Sequence, residues 1–376
     1  MNKSPPNAGL MVLLLMFPQV VETIYSPVLP AIAEGFGVSE SVAAQTLSIY
    51  FSAFAVGVVI WGTVADYLGR RKTMLLGLAV YGIAALGAVI STDFHTLLGF
   101  RALSAVGAAV GSVVTQTMLR DSFEGEALGR VFAWVGIGIA ISPVIGMMTG
   151  GGLTLLGGYP AVFTALCVLA LALCLVCAMM LPETLHGEQV KPRVTTVVRQ
   201  LVRDGHIWRS AFLVAGFNVA LFGYYLQGPF VFQRLGYDPH LFGYSGMVMA
   251  AGTLAGSVWN KRLVTRWRTD SILRLAALLV LAGGLGVIAT IDSLWFLAPM
   301  LLVVCGFGLG IPNVLSQALV EYKAGIGTAG AWFGLMYYLL IGGGLALAGW
   351  IQNLGIVLSV CGGVCLLLTL TRRSRP

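Results

Sequence analysis

Charge is scarce in this chain: Asp, Glu, Lys and Arg make up 10% of its 376 residues, against about a quarter in soluble globular proteins. That scarcity excludes a water-soluble enzyme as the main reading. Histidines number four, His95, His186, His206 and His240. All fall in loops or at helix ends without partners at metal-ligand spacing, so no metal is expected. No Gly-x4-Gly-Lys-[Ser/Thr] phosphate loop occurs, which argues against direct ATP drive. Neither Gly-x-Ser-x-Gly nor His-Glu-x-x-His occurs either, so no catalytic residue and no cofactor is assigned. The six cysteines lie inside apolar runs, where they act as small hydrophobes, and Cys174-x-x-Cys177 lacks the βαβ context of a redox motif. The basic residues that give a formal charge of +7 are scattered between apolar runs rather than gathered in one patch, so nucleic acid is not an expected partner.

Apolar sequence fills the space that charge leaves: 58% of residues are hydrophobic and the mean hydropathy is +0.90. Runs such as Leu10 to Met16 and Leu275 to Ala289 are continuously apolar, as helices in lipid require and as the alternating strands of a membrane barrel do not allow. The 49 glycines suit helices that approach closely in a bilayer. An all-α membrane protein is expected, with twelve transmembrane helices near 9–30, 40–64, 73–91, 95–118, 129–152, 159–181, 208–230, 241–260, 271–290, 293–318, 326–346 and 350–371. The first eight residues lack a small-residue cleavage site, so the first run is expected to be a retained span.

With the N-terminus cytoplasmic, every Lys and Arg except Arg101 and Arg234 falls on the cytoplasmic side, which fixes orientation with both termini inside. The longest polar stretch, 182–207, contains Pro182, Glu183, Glu188, Lys191, Pro192 and Arg193. It divides the chain into an N-terminal six-helix bundle (1–181), a cytoplasmic linker (182–207) and a C-terminal six-helix bundle (208–376). A faint repeat supports this division: Gly62-x3-Asp66 recurs as Gly256-x3-Asn260-Lys261-Arg262. Paired bundles flanking a central site are one architecture of secondary transporters.

The segment Gly62-Thr-Val-Ala-Asp66-Tyr67-Leu-Gly69-Arg70-Arg71-Lys72 resembles the cytoplasmic signature of the major facilitator superfamily, G-x3-D-[RK]-x-G-[RK]-[RK]. Tyr67 stands where a basic residue is usual. Glycine permits a tight turn and close helix contact, and Asp66 with the basic cluster can pair across helix ends to hold the two halves closed inward. Arg101-x2-Ser104-x2-Gly107 is similar to the family's R-x2-Q-x-x-G element, and Gly138-x3-Ser142-Pro143-x2-Gly146 to its antiporter motif, with Ser142 and Met147 replacing two glycines. Such a helix would seal one conformation at the contact between halves. Tyr25-Ser-Pro27-Val-Leu-Pro30, Leu119-Arg120-Asp121, Gly228-Pro229-Phe230 and Gly310-Ile-Pro312-Asn313 resemble the bicyclomycin/chloramphenicol-resistance (Bcr/CflA) drug exporters, as do Asn260-Lys-Arg-Leu263 and Gly327-Thr328-Ala329-Gly330. The resemblance implies a proton-coupled exporter of small amphiphilic compounds in a bacterial inner membrane, functional as a monomer, with substrate, protons and the lipid bilayer as partners. A dedicated exporter of an endogenous metabolite, such as a siderophore or a sugar, is the alternative on the same scaffold.

Glu22 is the most informative residue, because an ionisable group inside a span is costly and marks a functional candidate. Proton coupling or substrate contact is one role for it; a static, hydrogen-bonded acid is the other. Arg101 sits at comparable depth, where it either pairs with Glu22 or instead snorkels to the outer interface or anchors backbone carbonyls. Gln19 and Tyr25 lie one turn to either side of Glu22. Asn218, Tyr224, Tyr225, Gln227, Asn313, Gln317 and Tyr337, with Tyr338 beside it, are candidates to line a substrate cavity, against the alternative of helix-to-helix hydrogen bonding or an interfacial aromatic belt. Glu34, Glu40, Asp93 and Asp292 read as solvated loop-end acids.

Overall fold

The computed structural model describes residues 6–185 and 194–371, without the side chains of 194–197 and 323–328. Lys3, His186, Glu188, Lys191, Pro192, Arg193 and the basic tail Arg372, Arg373 and Arg375 lie outside the described residues, as do the side chains of Lys323 and Thr328.

The described chain is helical. Its α-helices are α1 (Ala8–Thr23), α2 (Leu29–Gly35), α3 (Glu40–Leu68), α4 (Arg70–Val89), α5 (Phe94–Ser122), α6 (Gly125–Met180), α7 (Val194–Arg203), α8 (Gly205–Arg234), α9 (Pro239–Leu263), α10 (Thr269–Thr290), α11 (Leu297–Ala318), α12 (Ile326–Ile351) and α13 (Leu354–Leu370). Short polar residues start them. Asn7, Ser39, Asp93, Asp238 and Asn353 each accept a backbone N–H of the following turn, which satisfies donors that have no intrahelical partner. Asp93 is thus a helix cap as well as a solvated acid.

Among the described residues, ten helical segments are long and apolar enough to cross a membrane; α6, at 56 residues, is one of them, and the apolar α13 is shorter. At 1.5 Å per residue α6 would span more than twice a bilayer, but it breaks at Gly157 and Gly158, the latter at φ +63°. That break coincides with the expected gap between 152 and 159. The first span is likewise compound: α1 ends at Thr23, a 3-10 turn covers Ser26–Val28, and α2 follows. The polar stretch 182–207 holds a helix that was not expected there, α7. Its signal is present in the sequence as apolar residues at 194, 197, 198 and 201, one helical face, of which Leu201 is fully buried.

Helices α1 and α3 to α6 pack on one another, α8 to α13 do likewise, and the two groups meet along α3/α12 and α6/α9. Contact is tight at one end of the molecule. There Ser26 Oγ donates to the Tyr225 carbonyl, Ser48 Oγ donates to the Gly342 carbonyl at 2.7 Å, and Arg234 meets Glu40 at 3.2 Å. A Cβ built on Gly151 would lie 2.6 Å from the Pro239 carbonyl oxygen. Towards the other end, Cβ atoms built on Gly129 or Gly136 of α6 would meet nothing within 4 Å. The groups are sealed at the Glu40 end, and open space lies beside α6 at Gly129 and Gly136 towards the other.

Candidate functional site

Between the two groups lies a cavity of about 280 Å³. Each wall helix contributes one stripe. From α8 come Asn218, Leu221, Phe222 and Tyr225, and from α6 come Gly136, Ile139, Ala140 and Pro143; both sets follow the i, i+3, i+4, i+7 spacing of a single helical face. Helix α1 adds Gln19, Glu22 and Thr23, helix α3 adds Tyr50, Phe51 and Phe54, and helix α12 adds Tyr338. The aromatic rings form a continuous cluster across the two groups: Phe51 lies 4.6 Å from Phe222, and Phe54 5.1 Å from Tyr338, between centroids.

Glu22 is the sole charged residue on this wall among the described residues. It is 6% exposed, and its Oε1 has no hydrogen-bond partner. It lies within electrostatic range of Tyr50, Tyr225 and Tyr338. Arg101 is 2% exposed and stays off the wall. Its Cζ sits 3.9 Å from the Tyr25 ring centroid and 4.2 Å from that of Tyr50, while its Nε and Nη2 are buried without hydrogen-bond partners. The ion pairs within 4 Å among the described residues do not include Glu22 with Arg101. Arg101 thus makes no ion pair with Glu22 within 4 Å, and neither its Nε nor its Nη2 reaches a backbone carbonyl.

The structure thus brings Gln19, Glu22, Asn218, Tyr225, Tyr338 and Pro143 to one cavity and places the other cavity candidates elsewhere. Tyr25, between the end of α1 and the 3-10 turn, packs on Arg101. Tyr224 hydrogen-bonds Ser245 inside the second helix group. Gln227 donates to the Ala348 carbonyl at 2.6 Å. Asn313 donates to Asn260 Oδ1 at 2.7 Å and to the Leu309 carbonyl at 2.8 Å. Gln317 lines a separate pocket with Asp204, His206 and Tyr322, and Tyr337 packs on Phe333 and Tyr338. Sequence reasoning missed Tyr50, Phe51, Phe54 and Phe222 as lining residues, since aromatics inside an apolar run carry no signal of which face they take.

The segment joining α3 to α4 forms a second polar centre. Arg70 is fully buried. Its Nη1 donates to Asp66 Oδ1 at 2.9 Å and to the Ala65 carbonyl at 2.7 Å, and its Nε donates to Asp121 Oδ2 at 3.0 Å. Glu183, just beyond α6, accepts the backbone N–H groups of Arg70, Arg71, Thr184 and Leu185. Arg71 donates to the Ala178 carbonyl, and Arg120 is exposed in the last turn of α5. Each of these Arg70 side-chain hydrogen bonds ends on α3 or α5, so here the cluster ties the first helix group together rather than joining the two groups. Gly69 adopts φ +88°, a conformation that favours glycine. Gly62 makes no close approach: a Cβ there would meet only Val113, at 3.7 Å.

The antiporter-like motif also faces a different neighbour than expected. Cβ atoms on Gly138 and Gly146 would strike Val12, Met16 and Thr23 of α1, within the same helix group. Ser142 Oγ is spent on the Gly138 carbonyl, at 2.7 Å. The contact between groups is made by Met147, whose carbonyl and side chain press on Gly243 and Gly246 of α9.

Residues 11–349 match the family model of the Major Facilitator Superfamily. An uncharacterized transporter of Rickettsia bellii (strain RML369-C) is 30% identical over 353 residues, covering 89% of this chain and 87% of that one. Multidrug resistance protein D of Escherichia coli (strain K12) is 26% identical, covering 86% and 84%. A bicyclomycin resistance protein homolog of Haemophilus influenzae is 26% identical, covering 74% and 71%. The crystal structure of a D-xylose-proton symporter matches with a TM-score of 0.76 at 15% identity over 97% of this chain and 96% of that one, a likeness of fold alone.

Proposed function

The chain belongs to the Major Facilitator Superfamily and is a multi-pass membrane transporter, not an enzyme; from that premise we propose that it exports small amphiphilic compounds from a bacterial cytoplasm in exchange for protons. Twelve crossings follow if the second arm of α6 and the shorter α13 are added to the ten long segments. They fall into two bundles, 1–181 and 208–376, joined through α7. The placement of Lys and Arg puts the Arg70 end in the cytoplasm. The cavity then opens inward and is sealed outward, the loading state of an exporter.

The observation that carries this reading is the Glu22 carboxyl, buried on the cavity wall with one oxygen unpartnered. Unpaired polar groups of this kind are costly. Here the cost is offset in use: substrate entering from the cytoplasm displaces the proton from Glu22, and a proton from the outer side replaces the substrate after the bundles rock. Aromatic rings and the amides of Gln19 and Asn218 suit an apolar body with few polar groups. The multidrug and bicyclomycin resistance names of the relatives point to the same cargo. With Arg101 off the wall, an endogenous metabolite that carries negative charge is the poorer fit.

Dye-reported proton flux in proteoliposomes, with lipophilic cations, phenicols and carboxylate metabolites as challenges, tests the proposal. Compound-dependent proton movement in the wild type, abolished by Glu22→Gln, is the expected result. Equal flux in the variant returns Glu22 to a structural role.

A further inference from the structure

Arg101 is a buried positive charge, yet it contributes no atom to the cavity wall. The ring of Tyr50 stands between: it lines the cavity and lies 4.2 Å from the guanidinium carbon. On its other flank Arg101 rests against Tyr25, itself fully buried. The guanidinium keeps Nε and Nη2 free of hydrogen bonds, although five N–H donors make Arg a ready partner for any anion within reach. A cation covered by two π faces is held in place without a counter-ion. No carboxylate pairs with Arg101 within 4 Å among the described residues; two rings cover it instead.

We propose that Tyr50 is a partition and thereby a specificity determinant: its ring withholds Arg101 from the cavity, leaves Glu22 as the charged group substrates meet, and so selects amphiphiles bearing one positive charge. Removal of the ring exposes the guanidinium and turns the preference towards anionic amphiphiles. The inference rests on reading this cavity as the substrate site.

The test uses two probes of one shape and opposite charge, tetraphenylphosphonium and tetraphenylborate, titrated against the full chain in nanodiscs with empty nanodiscs as blank. Wild type and Tyr50→Phe, which keeps the ring, are expected to bind the phosphonium at least ten-fold more tightly than the borate. Tyr50→Ala is expected to shift that ratio at least ten-fold towards the borate, and Tyr50→Ala combined with Arg101→Met to lose the borate gain. A wild type that binds neither probe overturns the cavity reading and the partition together. A wild type that takes the phosphonium while Tyr50→Ala gains no borate, or a gain that survives loss of Arg101, overturns the partition alone. Should Tyr50→Ala fail to fold, Arg101→Met by itself decides: borate affinity within two-fold of wild type supports a screened charge, and a ten-fold fall shows that Arg101 already meets the anion.

Discussion

Two arginines are buried in the first helix group, and they are held in opposite ways. Arg70 spends its guanidinium on two carboxylates and a carbonyl, at 2.7–3.0 Å, and so ties α3, α4 and α5 together. Arg101 has two aromatic rings and, at Nε and Nη2, no hydrogen bond. A buried charge with its partners satisfied is a fixed structural tie, whereas one left without hydrogen-bond partners raises the energy of the fold. Burial alone does not separate the two; partner count does.

Breaking the tie should produce the largest effect. Arg70→Met leaves Asp66 and Asp121 facing each other without the cation, and loss of one partner from a buried pair costs about 3 kcal/mol or more. Asp66 is half exposed, which lets water recover part of that. Stability read by reversible SDS denaturation is expected to fall by about 3 kcal/mol. Should Arg70→Met prove as stable as wild type, the distinction between the two arginines collapses.

Arg101→Met should behave in the opposite sense. It removes a buried cation that has no ion partner within 4 Å among the described residues, and an apolar side chain of similar length fills the same space between Tyr25 and Tyr50. Replacement of buried charge by apolar packing is often neutral or stabilising, so stability is expected to stay within about 1 kcal/mol of wild type or to rise. Compound-dependent proton flux in proteoliposomes should change nonetheless, because Glu22 lies within electrostatic range of Arg101. A large loss of stability with unchanged flux would make Arg101 a second structural tie.

How far each arginine was legible in the sequence follows from the distance its partners span. The Asp66–Arg70 pair is an i, i+4 contact, readable from spacing, and Asp121 was singled out by the separate resemblance of Leu119-Arg120-Asp121. The aromatic clasp of Arg101 joins residues of α1, α3 and α5, and nothing local announces it. The cavity shows the same limit. Asn218, Tyr224, Tyr225 and Gln227 were offered together by the sequence, yet the wall of α8 takes Asn218 and Tyr225, seven apart, and Tyr224 and Gln227 lie off that stripe, because a helix turns about 100° between neighbours. Which face of a helix meets the cavity depends on packing against other helices. The glycines of α6 were found for that reason without their neighbour: close approach was legible, while its being to α1 at Gly138 and Gly146 was not.

Glu183 offers the smallest and sharpest extension of the comparison, since it supports the Arg70 tie without touching the guanidinium. Its carboxylate caps the start of α4, accepting the Arg70 N–H at 2.8 Å and the Arg71 N–H at 3.1 Å, where the helix dipole favours an anion. A Cβ on Gly69 would lie 2.5 Å from Glu183 Oε2, so the turn must be glycine for space as well as for its φ of +88°. Burial alone would push the Glu183 carboxyl up, but four backbone N–H donors outweigh it and hold the group below its ordinary value of 4.5. A carboxyl depressed in the folded state stabilises the fold wherever the unfolded chain's carboxyl is ionised, and that contribution is lost as pH falls through the folded value. Glu183→Gln is therefore expected to cost about 0.5–1 kcal/mol at pH 7, with the gap from wild type narrowing once the pH drops below about 4.5. A gap that widens on acidification would mean that the protonated acid, not the carboxylate, holds α4 in place.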